Sequence, residues 1–215
     1  MAVQKGYTAF RHMENDLDLK SLRWTSPYKE IAARKDEVLR AQAEKTLAML
    51  RQQMGPGYIC EIDHANKMIF ATNVDRRMLE EVKGVLTSYA QALWRELFGN
   101  NLEEYIVVVV PKDWSNPRIG GFYNHQGKTL VCKSVGMVMV HEFTHALHFA
   151  DQDGLGQQHP IWIIEGLSTL FETSSLAEGK IVCVPNHRLN VIKELVEKGQ
   201  TVPWTDFFKY TPADY

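Results

Sequence analysis

The sequence predicts an α+β fold in which a small mixed β-sheet precedes a helical half. Short alternating or continuous apolar segments, each of strand length, are concentrated between residues 58 and 133. From residue 135 onwards, helical spacing of apolar residues replaces the strand patterns. Strands, a helix, more strands and then helices therefore follow one another. We expect an N-terminal arm and helix over residues 1–56 and one domain over residues 57–215.

Composition sets limits on the class of protein. The 215 residues are enough for one large domain or two small ones. A net charge of −2 gives no reason to expect nucleic acid or an anionic membrane as a partner. No apolar run reaches the length of a membrane span. Nothing in the sequence predicts the oligomeric state.

The cysteines and the N-terminus bear on the compartment. Three cysteines, Cys60, Cys132 and Cys183, form neither a disulfide framework nor a C-x-x-C pair. The first residues lack the apolar core of a signal peptide, although a signal removed earlier would leave the same sequence. We expect a reducing, cytoplasmic location.

The N-terminal third is predicted to be an arm, a helix and a hairpin. Residues 1–26 show no sustained period and are expected to be extended or loosely held. A partial apolar stripe predicts a surface helix over 28–54, ended by the Gly-Pro-Gly at 55–57. Alternation over 58–63 and again over 67–72 predicts two strands joined by a turn.

The middle of the chain completes the predicted sheet. Apolar residues at helical spacing predict a helix over 75–98, with Gly99 as its stop. The continuous β-branched run at 105–110 is typical of a strand covered on both faces. Residues 119–123 and 128–133 flank a turn and predict a second hairpin.

The C-terminal part is predicted to be helical. The apolar run over 135–150 is a helix, followed by a polar loop at 151–159 and a second helix over 161–175. Shorter helical segments are expected at 191–197 and 204–210.

The first of these helices contains His141-Glu142-Phe143-Thr144-His145, an H-E-x-x-H sequence. Histidines at i and i+4 lie on one helix face, so both imidazoles can bind one zinc ion. Glu142 is then placed to act as a general base on water activated by the metal. The alternative is a pair of buried histidines satisfied by hydrogen bonds.

A carboxylate is needed to complete a His2Glu ligand set and leave one position open. Glu165 is our candidate, because it stands near the start of the next helix with further polar residues on one face. Asp151, Asp153 and Glu172 are the competing acids.

The motif and the following Glu165-Gly166-Leu167-Ser168 resemble the gluzincin zinc metallopeptidases, and residues 160–168 resemble the smaller peptidase-MA-like families. This resemblance implies a zincin-like fold, zinc as cofactor, and hydrolysis of a peptide or protein substrate. It also implies a sheet edge beside the cleft, which binds an extended substrate; a plain structural hairpin is the equal alternative. A polar residue after the third ligand should orient a histidine, and Glu172 is our candidate. Thr169 stands where thermolysin-like enzymes have aspartate.

Three histidines and two tyrosines remain to be placed. His148 continues the motif helix without the glycine turn of a metzincin, so we interpret it as a core or rim residue. The resemblance also implies a donor for the oxyanion of peptide hydrolysis. Only His159 lies between the motif and Glu165; beyond it, His187 and Tyr210 are our candidates, with Tyr215 a further one.

The helical half is shorter than that of known gluzincins. We therefore expect a cleft that is either short and open or completed by another segment or partner. The alternative function is a catalytically weak or inactive zincin-fold binding module. A zinc hydrolase of some other amide is a third.

Overall fold

The computed structural model describes residues 7–114, 119–185 and 187–214. Its centre is a five-stranded mixed sheet, which confirms the predicted α+β class. The strands are β1 Ile59–Asp63, β2 Met68–Thr72, β3 Ile106–Val110, β4 Gly121–Asn124 and β5 Thr129–Cys132. Their order is β1-β2-β3-β5-β4. The β2/β3 and β3/β5 pairs are parallel, whereas the β1/β2 and β4/β5 hairpins are antiparallel.

Helices cover both faces of this sheet. They are α1 Phe10–Asn15, α2 Ser26–Ala33, α3 Lys35–Met54, α4 Arg76–Glu96, α5 Met137–Leu155, α6 Ile161–Phe171, α7 His187–Glu197 and α8 Trp204–Phe207. Helices α4 and α5 form the main core with one face of the sheet, and α3 packs on the other. Val108 belongs to the first core and Val109 to the second, which confirms β3 as a strand covered on both faces.

The prediction of an extended arm at the N-terminus is wrong for the part of it that the structure describes. Phe10 is fully buried in α1, and Arg11 donates to Glu103 and to the carbonyl of Ala150, both at 2.8 Å. A helix of one and a half turns is too short to show a period in sequence, and these distant contacts stabilise it. Residues 1–6 of the predicted arm lie outside the described residues. The predicted helix over 28–54 is divided at Arg34 into α2 and α3.

The predicted polar loop at 151–159 is also wrong in its first half, because α5 continues to Leu155. Asp151 is buried and accepts hydrogen bonds from the backbone and side-chain N–H groups of Asn100, at 2.9 and 3.0 Å. The helix ends at Gly156, whose φ of +64° suits glycine. The segment was predicted to be a loop because its residues are polar, and the sequence does not show that Asp151 is buried against Asn100.

The segment after α6 also differs from the prediction. Helix α6 ends at Phe171, before the predicted end at residue 175. The chain then forms a small hairpin of β6 Ser175–Ala177 and β7 Lys180–Val182, which the sequence analysis did not predict. Helix α7 begins at His187, earlier than expected, and α8 is the expected short turn of helix. In the described part of the chain, no helix has both the length and the apolarity to cross a membrane.

Candidate metal centre

The candidate centre lies between α5 and α6. Apolar residues on one side of α5 pack into the main core, among them Met139, Val140, Phe143, Ala146 and Leu147. Their burial leaves His141 and His145 directed towards α6 and Glu142 towards β4. The two imidazole rings are 4.8 Å apart between centroids, at an interplanar angle of 82°. The core packing of α5 therefore fixes where these side chains point.

Glu165, in the second turn of α6, brings a carboxylate to the two histidines. Its Oε2 lies 3.4 Å from Nε2 of His141 and 3.5 Å from Nε2 of His145. One ligand atom from each of the three residues lies within 4.8 Å of the other two. Ligands bound tetrahedrally at 2.0–2.1 Å stand about 3.3 Å apart, which is close to the two distances from Oε2 of Glu165 to the imidazoles. The three residues could hold a metal ion.

Two further residues of α6 and its end fix the histidine rings. Glu172 Oε2 lies 3.0 Å from Nδ1 of His141, and Ser168 Oγ lies 3.0 Å from Nδ1 of His145. Each ring thus has its Nδ1 occupied, which leaves its Nε2 free towards Glu165. Glu172 was predicted for this role from the sequence, whereas Ser168 was not. The spacing i, i+3, i+7 from Glu165 places both residues on one helix face and is the signal that could have identified Ser168.

The charges of the centre favour a cation. Hydrogen bonds from His141 and His145 lower the pKa of Glu165 to about 2, against the opposing effect of its partial burial. Burial lowers the pKa of His141, but its bonds to Glu165 and Glu172 and the nearby Glu142 outweigh this, so the net pKa is raised. Carboxylates thus surround the imidazoles closely. A divalent cation would offset that negative charge.

Glu142 connects the centre to the sheet. Its Oε2 accepts a hydrogen bond of 2.8 Å from the backbone N–H of Tyr123 in β4. Strand β4 is one of the two edge strands of the sheet and pairs with β5 on its other side. The open edge of the sheet therefore borders the centre, as the gluzincin resemblance implies, and it holds one oxygen of the Glu142 carboxylate in place.

The two competing aspartates are engaged elsewhere. Asp151 binds Asn100, as described above. Asp153 lies 3.5 Å from Lys128 and 3.7 Å from His125. These contacts leave Glu165 as the acid grouped with the two motif histidines.

His148 lies in the core. It is 1% exposed, stacks on Phe98 with ring centroids 5.6 Å apart, and has its Nε2 2.7 Å from Nδ1 of His159. Burial, together with the neighbouring His159, lowers the pKa of His148 to about 4, so the ring is neutral near pH 7. The interpretation of His148 as a core residue is confirmed.

The two candidate oxyanion donors occupy different places. His187, the first residue of α7, lines a groove of 590 Å³ together with Glu165, Trp162 and Phe207. Tyr210 packs on Phe207, with ring centroids 5.8 Å apart, and is not among the described residues that line the groove. The geometry thus brings His187 to the groove that contains Glu165. Tyr215 lies outside the described residues.

Comparison of the chain with protein-family models, with curated proteins and with solved structures found no match. The fold and the site define a mixed α+β protein with a candidate His2Glu metal centre. Its functional interpretation depends on the residues of that centre.

Proposed function

We propose that this chain is a zinc-dependent peptidase of the gluzincin type, with His141, His145 and Glu165 as ligands. The observation that carries the proposal is the convergence of two Nε2 atoms on one oxygen of Glu165, at 3.4 and 3.5 Å. Two histidines and one glutamate are the protein ligands of several catalytic zinc sites, in which a fourth position stays open. The adjacent Glu142 supplies the base that such a site needs.

Under this hypothesis, a bound zinc ion would lower the pKa of a water molecule and polarise the peptide carbonyl. Glu142 accepts the proton of the attacking water and later passes it to the leaving amine. The N–H of Tyr123 holds Oε2 of Glu142, so Oε1 is the oxygen available to take that proton. The sheet edge at β4 offers an extended peptide a place beside the base.

A catalytically weak or inactive binding module with the same fold is the second candidate. It is favoured by the openness of the helical half, because none of the residues of α7, all described, is buried. In a cleft bounded by such a helix, water would reach the reacting groups. Water weakens the electrostatic interactions that stabilise the transition state. The presence of Glu142 favours the enzyme, since a scaffold has no need of a base there.

Metal analysis of protein purified without chelator and supplied with zinc tests the site. We expect about one zinc per chain. His141→Ala and Glu165→Ala should reduce this stoichiometry, whereas His12→Ala, which removes an exposed histidine of α1, should leave it unchanged. Protein that stays metal-free contradicts the proposed site, and full zinc binding in Glu165→Ala contradicts the ligand assignment.

Incubation of the zinc-loaded protein with a diverse peptide pool separates the two functions. A peptidase cleaves some members, and a chelator stops the cleavage. Zinc bound at full stoichiometry with no peptide cleaved would favour the binding module.

A further inference from the structure

Arg188, in the first turn of α7, reaches the buried carboxylate that orients His141. Its Nε lies 2.8 Å from Oε1 of Glu172, and its Nη2 lies 3.5 Å from Oε2. The Oε2 atom is the one that contacts Nδ1 of His141, at 3.0 Å. Glu172 is 5% exposed, whereas the Arg188 side chain is 55% exposed. A surface guanidinium, a buried carboxylate and a candidate ligand therefore form one chain of contacts.

The division of the two carboxylate oxygens defines what Arg188 does. Oε1 is held by the guanidinium, and Oε2 is directed at His141. Without the first contact the carboxyl group could rotate, and either oxygen or neither would face the imidazole. Arginine is suited to fixing a carboxylate plane because its donors lie in a rigid planar fork. It also compensates the charge of a carboxylate that is buried.

We propose that Arg188 is a positioning residue of the metal centre, which acts through Glu172 to fix the ring orientation and tautomer of His141. The proposal rests on the metal site proposed above. Because Arg188 belongs to α7, the position of this helix also affects the orientation of His141. Helix α7 contributes no buried residue, so its attachment to the centre depends on contacts of this surface kind.

Competition between the protein and a chromogenic chelator for Zn²⁺ measures the effect. We expect Arg188→Gln to weaken zinc binding about tenfold, the lower end of the loss found on removing groups that orient metal ligands. Arg188→Lys keeps the charge without the planar fork and should recover part of this loss. Lys198→Gln removes an exposed cation that follows the same helix, paired with Glu194, and should have no effect.

The Glu172→Gln background distinguishes positioning from general support of α7. If Arg188 acts through the carboxylate of Glu172, Arg188→Gln should add nothing once that carboxylate is gone. The double variant and Glu172→Gln should then bind zinc equally. A further tenfold loss in the double variant would overturn the proposal.

A measurement on zinc-free protein separates failure of this inference from failure of the metal site. ¹⁵N NMR of the histidine rings, recorded at alkaline pH so that the imidazoles are neutral, reports which nitrogen carries the proton. We expect His141 to be protonated at Nδ1 in the wild type and to become a mixture of tautomers in Arg188→Gln, while Lys198→Gln resembles the wild type. Unchanged His141 signals in Arg188→Gln would overturn the proposal even if zinc binds. If the wild type fails to bind zinc but Arg188→Gln still shows the expected tautomer shift, the metal site is contradicted and the role of Arg188 is supported.

Discussion

The two imidazoles of the centre are held at Nδ1 by partners of different kinds, a carboxylate on His141 and a hydroxyl on His145. Hydrogen bonds to an ionised acceptor are roughly twice as strong as neutral ones. Glu172 should therefore orient its histidine more firmly than Ser168 does. This asymmetry can be tested one residue at a time.

We expect Ser168→Ala to weaken zinc binding less than Glu172→Ala. Ser168 is fully buried, and alanine removes only its hydroxyl, so the main change is at Nδ1 of His145. Chelator competition gives both affinities. Ser174→Ala, which removes a hydroxyl bonded to the carbonyl of Phe171, serves as the control. A larger loss in Ser168→Ala would show that the hydroxyl, and not the carboxylate, dominates the orientation.

Glu165→Ala should weaken zinc binding more than Glu172→Ala. Glu165 supplies a ligand atom, whereas Glu172 only orients one, and loss of an orienting group typically costs 10–100-fold in affinity or activity. The same competition experiment ranks the two variants. The reverse order would mean that the third ligand has been assigned to the wrong carboxylate.

Glu142→Gln should retain the metal and lose most hydrolysis. The amide oxygen can still accept the bond from Tyr123, but the side chain cannot take a proton. Loss of a general base lowers the rate by about 10²–10⁴-fold. Zinc content and cleavage of a peptide that the wild type hydrolyses are measured together. Asp153→Asn, about three turns further along the same helix, is the control. Full activity in Glu142→Gln would exclude the base role.

At the scale of elements, the sequence correctly predicted those helices and strands whose apolar residues follow a clear pattern. The stripe of α4, the β-branched run of β3 and the motif of α5 repeat a pattern over enough residues to identify their element. The grouping of Glu165 with the motif histidines was likewise predicted, because α6 carries further polar residues on the same face.

The elements that were missed are those stabilised by distant contacts. Helix α1 is short and depends on Arg11 binding Glu103 and Ala150. Near the end of α5, Asp151 is buried against Asn100. A polar residue therefore packs the helix against its neighbours at a position where an apolar residue is usual. No local pattern encodes either partner. Ser168 was missed for a different reason: its spacing from Glu165 places it on the face of α6 towards the motif helix, but the spacing does not specify which of the polar residues on that face contacts His145.

A matched pair of glycines tests the packing of α1 on α5. A Cβ on Gly154, in the last turn of α5, would meet the guanidinium of Arg11 and lie 2.5 Å from Cγ of Asn100. Both side chains are fixed by hydrogen bonds, so we expect Gly154→Ala to destabilise by about 1–3 kcal/mol. A Cβ on Gly84, inside α4, meets nothing within 4 Å, and Gly84→Ala should stabilise by up to about 1 kcal/mol. Urea unfolding of both variants measures the difference, and equal stabilities would contradict tight packing at Gly154.

At the scale of the whole molecule, the candidate centre joins parts of the chain that are far apart in sequence. The edge strand β4 contributes the N–H of Tyr123, α5 the two histidines and Glu142, α6 the carboxylate of Glu165, and α7 the guanidinium of Arg188. The C-terminal helices are less well packed than the rest. Exposed apolar side chains there include Val191, Ile192, Val196, Trp204 and Phe208. This is the arrangement expected of a cleft that is short and open or completed by another segment or partner.

A ligand shared by α5 and α6 should stabilise the fold as a whole. A metal that binds only the folded state raises the free energy of unfolding by about 2.7 kcal/mol at a free concentration 100 times its dissociation constant. For a chain of this size that corresponds to a rise in melting temperature of roughly 5–10 °C. Thermal unfolding followed by circular dichroism, with and without Zn²⁺, measures it. Ca²⁺ prefers oxygen ligands in larger number and should leave the melting temperature unchanged.

The variants determine whether this stabilisation arises at the proposed centre. Glu165→Ala and a His141→Ala, His145→Ala double variant should unfold at the same temperature with and without zinc, because each removes ligand atoms from the group. His12→Ala should keep the full rise, since His12 is an exposed residue of α1. An undiminished rise in the double variant would place the stabilising zinc on other residues. Loss of the rise in the ligand variants alone would show that zinc bound at this centre holds α5 and α6 together.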